Sequence, residues 1–177
     1  MASFEREIFL SFKHGMPQSY FRRIHDKHNT GEKPFDFEVF YQAFFFAIEA
    51  KHQKGRLGLR RIHPHQKEAM EKIMANGGIS YFIIRIEDPK KFRGKFRAFV
   101  IHYDTFHKMM EEIDKKSCNA KDLELYAEYE AERLKLEKSK YGWSFPVFFE
   151  EVAKQGKNVS MRAGVVEEVE EDPYWGL

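Results

Sequence analysis

The chain carries a single cysteine, Cys118, in 177 residues. One thiol excludes an internal disulfide and leaves no thiolate cluster for a zinc site. A reducing, intracellular setting is the expectation that follows. Long apolar runs are also missing. Crossing a bilayer takes about 20 consecutive apolar residues, and the longest run here, at residues 44–48, is short and ends in charge. No membrane partner is expected. The first residues, Met-Ala-Ser-Phe-Glu-Arg-Glu, lack a basic segment followed by an apolar stretch, so no secretory leader is expected. There is no internal repeat, and no large excess of either charge: the net is +2.

That small net charge hides an asymmetry. Residues 167–177 hold five acids and no Lys or Arg, so the remainder sets 30 basic residues against 23 acidic ones, a net of +7. A moderately basic body with an acidic tail is compatible with a polyanionic partner. Apolar material is ample, at 42% hydrophobic with 18 Phe, and the length suits one domain with an appended piece.

Periodicity predicts the elements. Ser3 caps a helix over residues 3–12, with Phe4, Ile8 and Phe12 at helical spacing. A strand is expected at 20–24, a polar loop at 26–33, and a hairpin at 35–52 that turns near 41–43. Residues 53–61, with Gly55, Gly58 and several cations, read as a mobile loop. A helix starts at Pro64 and closes at Asn76-Gly77-Gly78. Gln66, Ala69, Met70, Ile73 and Met74 share its inward face. Strands follow at 79–86 and 96–102, joined by a polar turn at 88–94. Asp104 is expected to cap a helix to about 115. A long charged helix is expected at 122–138 and a short one at 143–153. The series predicts an α/β (α+β) fold, a mixed central sheet flanked by helices. The expected division is a core at 1–118, a helical extension packed on it at 119–164, and an acidic tail at 165–177.

Residues 34–51 are the most informative stretch: an acid, two apolar strand-like runs, then Glu-x-Lys. Strand side chains alternate between faces, so Glu49 and Lys51 share one face while Ile48 and Ala50 point the other way. A hairpin brings Asp36 back beside Glu49. Both acids sit in apolar surroundings, where an isolated carboxylate is costly without a cation. Carboxylate oxygens suit Mg²⁺, with Mn²⁺ as a substitute. A pair of solvated strand-end acids and a solvated lysine are the plain alternative. Gln66, on a core-facing helix stripe, needs a buried partner. The eight histidines do not point to a metal centre, because His63 and His65 are two apart rather than four.

The Asp36 and Glu49-Ala50-Lys51 pattern resembles the PD-(D/E)xK nuclease signature, and most closely the RecU-type and related archaeal and phage Holliday junction resolvases. The resemblance continues at His63-Pro64-His65-Gln66 and at Gly77-Gly78-Ile79 and covers residues 4–117, about two thirds of the chain. It implies a restriction-endonuclease-like core with extra C-terminal helices. It also implies a cytoplasmic enzyme of a bacterial, archaeal or phage-infected cell that cuts four-way DNA with divalent metal. A symmetric homodimer would match the two-fold junction. By this resemblance Asp36, Glu49 and the Ala50 carbonyl hold metal, Lys51 acts on the attacking water and the charged phosphate, and Gln66 contacts the phosphate or a metal ligand. It also implies a helix-borne glutamate completing the site. Glu5 and Glu7 lie about 160° apart around the helix. Periodicity leans to Glu5 and leaves Glu7 open. The chain is shorter at its start than RecU proteins and shows no counterpart of their stalk, so a phage-like or minimal resolvase fits better.

Basic residues flank this motif on both sides: Arg22, Arg23, Lys27 and Lys33 before it, then Lys54, Arg56, Arg60 and Arg61 after it, with His65 nearby. They are candidate contacts to a phosphodiester backbone. The run Lys90, Lys91, Arg93, Lys95 is a weaker one. A related nuclease acting on other DNA, or a non-cleaving DNA-binding protein of the same fold, are the alternatives.

Overall fold

Hydrophobic side chains on both faces of the strands dictate a sheet covered on both sides, and that is the arrangement found. The structure is a computed structural model that describes residues 3–25, 33–87, 96–137 and 140–163, with side chains described up to 156 in the last helix. The expected loop with Lys27, the turn carrying Lys90, Lys91, Arg93 and Lys95, and the acidic tail fall outside the described residues.

The elements run α1 (Phe4–Gly15), β1 (Tyr20–Arg23), β2 (Phe37–Tyr41), β3 (Phe44–Lys54), β4 (Arg56–Gly58), a 3-10 turn (Leu59–Arg61), α2 (Pro64–Ala75), β5 (Ile79–Glu87) and β6 (Phe96–His102). They continue with α3 (Tyr103–Glu112), β7 (Ser117–Asn119), α4 (Ala120–Tyr126), β8 (Tyr129–Ala131), β9 (Arg133–Lys135), β10 (Tyr141–Trp143) and α5 (Phe145–Ala163). Six strands form the main sheet in the order β1-β2-β3-β5-β6-β8. Only the central β3–β5 pair is parallel within it; the other pairs are antiparallel. The mixed sheet flanked by helices is the fold class expected from the sequence.

The β2–β3 hairpin closes through Gln42 and Ala43 alone, both with positive φ (50° and 71°). This is the two-residue turn whose twist matches a right-twisted hairpin. It fixes the register Phe37↔Ile48 and thereby puts Asp36 opposite the Glu49 region. One face of the sheet packs Phe46, Ile48, Tyr81 and Ile83 against α1 and α5. The other packs Phe82, Ile84 and Ile86 against α2, α3 and α4. Gly156 of α5 sits so close to the Phe44 ring that an added Cβ would lie 2.4 Å from it, so any larger residue would have to push that ring aside. Phe46 and Leu123 are buried in the two cores.

Four expectations are corrected. Residues 53–61 are not a loop. β3 runs to Lys54, Gly55 turns with φ 78°, and β4 pairs with β7. Leu57 anchors the segment by burial beside Cys118. The helix expected at 122–138 is three elements. Asn119 caps α4 by accepting from the Lys121 and Asp122 amides (2.8 and 3.2 Å). After Ala127 the Tyr129/Ala131 alternation pairs with β6, and Arg97 clamps that edge by donating to both carboxylate oxygens of Glu130 (2.6 Å each). Pairing on a free sheet edge outweighs the local helix propensity. Residues 119–163 are therefore mixed, and they supply the sixth strand. His102, not Asp104, caps α3, its Nδ1 accepting from the Asp104 amide at 3.2 Å. Trp143 ends strand β10 rather than starting a helix.

Candidate active site

Strand parity decides which side chains can meet. On β3, Ile48 joins the α1 side, so Glu49 and Lys51 face α2. Asp36 immediately precedes β2. Its amide donates to the Ile48 carbonyl at 3.0 Å, and its Oδ2 accepts from the Ala50 amide at 2.8 Å. Backbone pairing thus presses Asp36 against the start of Glu-x-Lys. From the third position of α2, Gln66 reaches in. Its Nε2 donates to Glu49 Oε1 at 2.8 Å, and its Oε1 accepts from Lys51 Nζ at 3.1 Å and from the His63 amide at 3.2 Å. Lys51 Nζ lies 2.7 Å from Glu49 Oε1. Asp36, Glu49, Lys51 and Gln66 are all buried. The inward Gln66 has found the polar partners its position demands.

Two carboxylates face two ammonium groups in this pocket, because Lys33 Nζ donates to Asp36 Oδ1. The balance is incomplete. Glu49 Oε2 is buried and has no hydrogen-bond partner. Burial first, and the Asp36 charge second, push the Glu49 carboxyl up to about 7 against the opposing pull of Lys51 and Lys33. Burial works against the Lys33 charge, yet its hydrogen bond to Asp36 and the charges of Asp36, Glu49 and Glu5 leave its ammonium above the ordinary value.

An unpartnered, desolvated carboxylate oxygen beside a second carboxylate is the kind of oxygen donor that suits a hard cation. No group of three or more His, Cys, Asp or Glu residues stands ready to hold a metal among the described residues. The pocket thus offers a cation the carboxylates of Asp36 and Glu49, a small set that leaves coordination positions for water. That suits Mg²⁺, which keeps several of its waters when bound.

The two helix-borne glutamates part company. Glu5 pairs with Arg23 at the half-exposed rim and is near enough for its charge to act on Lys33. Glu7 lies on the opposite side of the sheet from Glu49, buried against Arg85 Nη1 (2.8 Å), Trp143 Nε1 (2.9 Å) and Arg133 Nη2 (3.4 Å). Arg85 Nε in turn donates to His52 Nδ1 at 3.1 Å. Sequence reasoning missed this network. Its signal was the lone arginine in the apolar strand Ile83-Ile84-Arg85-Ile86, which needed a buried anion somewhere.

The candidate phosphate contacts split as well. Arg22 pairs with Glu38 at 2.8 Å, Arg23 with Glu5 and Lys33 with Asp36. His65 stacks on His63 with ring centroids 5.5 Å apart, and its Nε2 is buried without a partner. Lys54, Arg56, Arg60 and Arg61 are exposed, and none forms an ion pair among the described residues. They run from the end of β3 to the approach to α2, the two elements that deliver Lys51 and Gln66.

The model of one protein family, described as Recombination protein U, matches residues 17–140. No curated protein matches the chain significantly. Among solved structures, the chain is similar to Hjc of Archaeoglobus fulgidus, a Holliday junction resolvase from an archaeal hyperthermophile. The two are 18% identical, with a TM-score of 0.45, over 69% of this chain and 90% of that one.

Proposed function

The chain belongs to the Recombination protein U family, and from that membership we propose that it is a Mg²⁺-dependent endonuclease that resolves four-way DNA junctions by paired phosphodiester cuts. The observation that carries the metal-dependent chemistry is the unpartnered Glu49 Oε2, buried between Asp36 and Lys51. Asp36, Glu49 and the Ala50 carbonyl would hold the cation. Bound there, it would offset charge on the scissile phosphate and acidify a coordinated water.

The chain's own groups supply the rest. Lys51 presents a fixed positive charge where the phosphate gathers negative charge, and it orients the attacking water through its one remaining N–H donor. Gln66 holds Lys51 and Glu49 in mutual register through one amide group. The hairpin holds Asp36 against Ala50 without relying on side-chain freedom. Two copies related by a two-fold axis would place two such sites on the two matched strands of a junction.

The deciding experiment is a gel assay of a four-way junction with Mg²⁺ and an EDTA control, beside a linear duplex. Symmetric nicks in the junction only, abolished by EDTA, are expected. Equal cutting of linear duplex would instead indicate a repair- or restriction-type nuclease. Binding without cutting would indicate a non-cleaving relative.

The four exposed cations give a second expected result. Changing Lys54, Arg56, Arg60 and Arg61 together to Ala weakens junction binding and lowers the slope of log K against log salt by roughly 3 to 4, one released counterion per phosphate contact. Cleavage at saturating enzyme changes less. Anisotropy titrations at several salt concentrations measure it; an unchanged slope would place the DNA path elsewhere.

A further inference from the structure

The two lysines of the site are not equivalent. Lys51 is locked, with Glu49 Oε1 at 2.7 Å and Gln66 Oε1 at 3.1 Å around its ammonium, and 11% of its side chain is exposed. Lys33 is bonded to one side chain, Asp36 through Oδ1, and 26% of its own side chain is exposed. Asp36 Oδ2 already accepts from the Ala50 amide, so Oδ1 is the oxygen free of backbone contacts, and Lys33 sits on it. The base of the lysine is fixed: Pro34 follows it, which restricts Lys33 to extended backbone, and Phe35 is buried. Its four-carbon stem remains flexible. The ammonium is thus a cation on a short tether, with a route to solvent, at the oxygen that a divalent ion needs.

Resting on the metal-binding reading of Asp36 and Glu49, we propose that Lys33 is a built-in competitor for the divalent cation: it occupies Asp36 Oδ1 in the metal-free protein and must leave before metal binds. In the metal-free state this contact keeps a buried carboxylate compensated, which protects the fold where an unpaired charge would be costly. The same contact lowers apparent metal affinity, because only the fraction of molecules with Lys33 swung away can accept the ion. With the released state at about one molecule in ten, the apparent Kd for Mg²⁺ is raised about tenfold. Lys33 is then a determinant of metal occupancy, a role distinct from that of a surface cation contacting DNA.

Calorimetric titration of MgCl₂ into the metal-free full chain tests this, with thermal melts as the second readout. Lys33→Met is expected to bind Mg²⁺ about tenfold more tightly than wild type, to melt lower without metal, and to gain more in Tm on adding Mg²⁺. Lys33→Gln, a neutral side chain that can still donate to Asp36, guards against misfolding of the first variant and is expected to tighten Mg²⁺ binding as well. Lys33→Arg keeps the charge and is expected to stay near wild type. Asp36→Asn serves as the reference that abolishes binding. If wild type binds Mg²⁺ through Asp36 and neither neutral variant binds tighter, the competitor role is overturned while the metal site stands. If wild type shows no Asp36-dependent Mg²⁺ binding, the metal reading itself fails and takes this proposal with it.

Discussion

Glu49→Gln and Asp36→Asn each abolish junction cleavage and leave the protein folded. A neutral amide is a far poorer ligand for Mg²⁺ than a carboxylate, and the site has no third acid among the described residues to take over. Asparagine at 36 can still accept from the Ala50 amide, so the hairpin register survives. Removing negative charge beside the phosphate path leaves DNA binding intact or strengthens it. For Glu49 the stability consequence has a definite sign. Its folded value of about 7 lies above the ordinary 4.5, so the folded state holds this proton more tightly than the unfolded one. Stability is fully present below the ordinary value and is lost as pH rises through about 7. Metal-free Glu49→Gln at pH 8 should therefore melt no lower than wild type, and its melting should depend less on pH between 5 and 8. Wild-type turnover in either variant would remove the metal-ligand role of that residue. A metal-free melting point far below wild type would instead mean that the lost activity reports unfolding.

What the sequence could and could not disclose follows from range. Asp36, Glu49 and Lys51 lie within one hairpin, and strand parity plus one turn suffices to bring them together. Gln66 could be placed because its helix stripe was otherwise apolar. Glu7 was ambiguous because its partner Arg85 is 78 residues away; helix periodicity alone ranked Glu5 nearer the apolar stripe, and the fold buried Glu7 instead. Lys33 read as one more surface cation, since nothing local says that its ammonium turns inward onto Asp36. The stretch at 129–135 read as helix because its composition favours one, while the edge of β6, fixed some 30 residues earlier, required a strand. Long-range pairing decided the cases of Glu7 and of 129–135 and leaves little trace in local pattern; Lys33 meets a carboxylate only three residues on, but one that is buried only once the sheet has formed.

Lys51→Ala lowers turnover by on the order of 100-fold, about 3 kcal/mol of transition-state stabilisation. The magnitude rests on preorganisation. Lys51 is held on two sides by Glu49 and Gln66 in a buried pocket, so its charge is in place before the phosphate arrives and no side-chain ordering is needed during reaction. An ammonium in such a desolvated setting acts more strongly on developing charge than one in water. Metal affinity is retained, because the truncation removes a cation that shares Glu49 Oε1 and leaves the carboxylates in place. Lys51→Arg restores little, since a planar fork cannot reproduce a compact point charge between Glu49 and Gln66. Gln66→Ala gives a smaller loss, as it loosens both neighbours while removing neither charge. Single-turnover cleavage at saturating enzyme and metal separates the chemical step from binding. A Lys51→Ala protein whose defect lies in DNA or metal affinity, with a normal single-turnover rate, would assign Lys51 to binding and remove it from the chemistry.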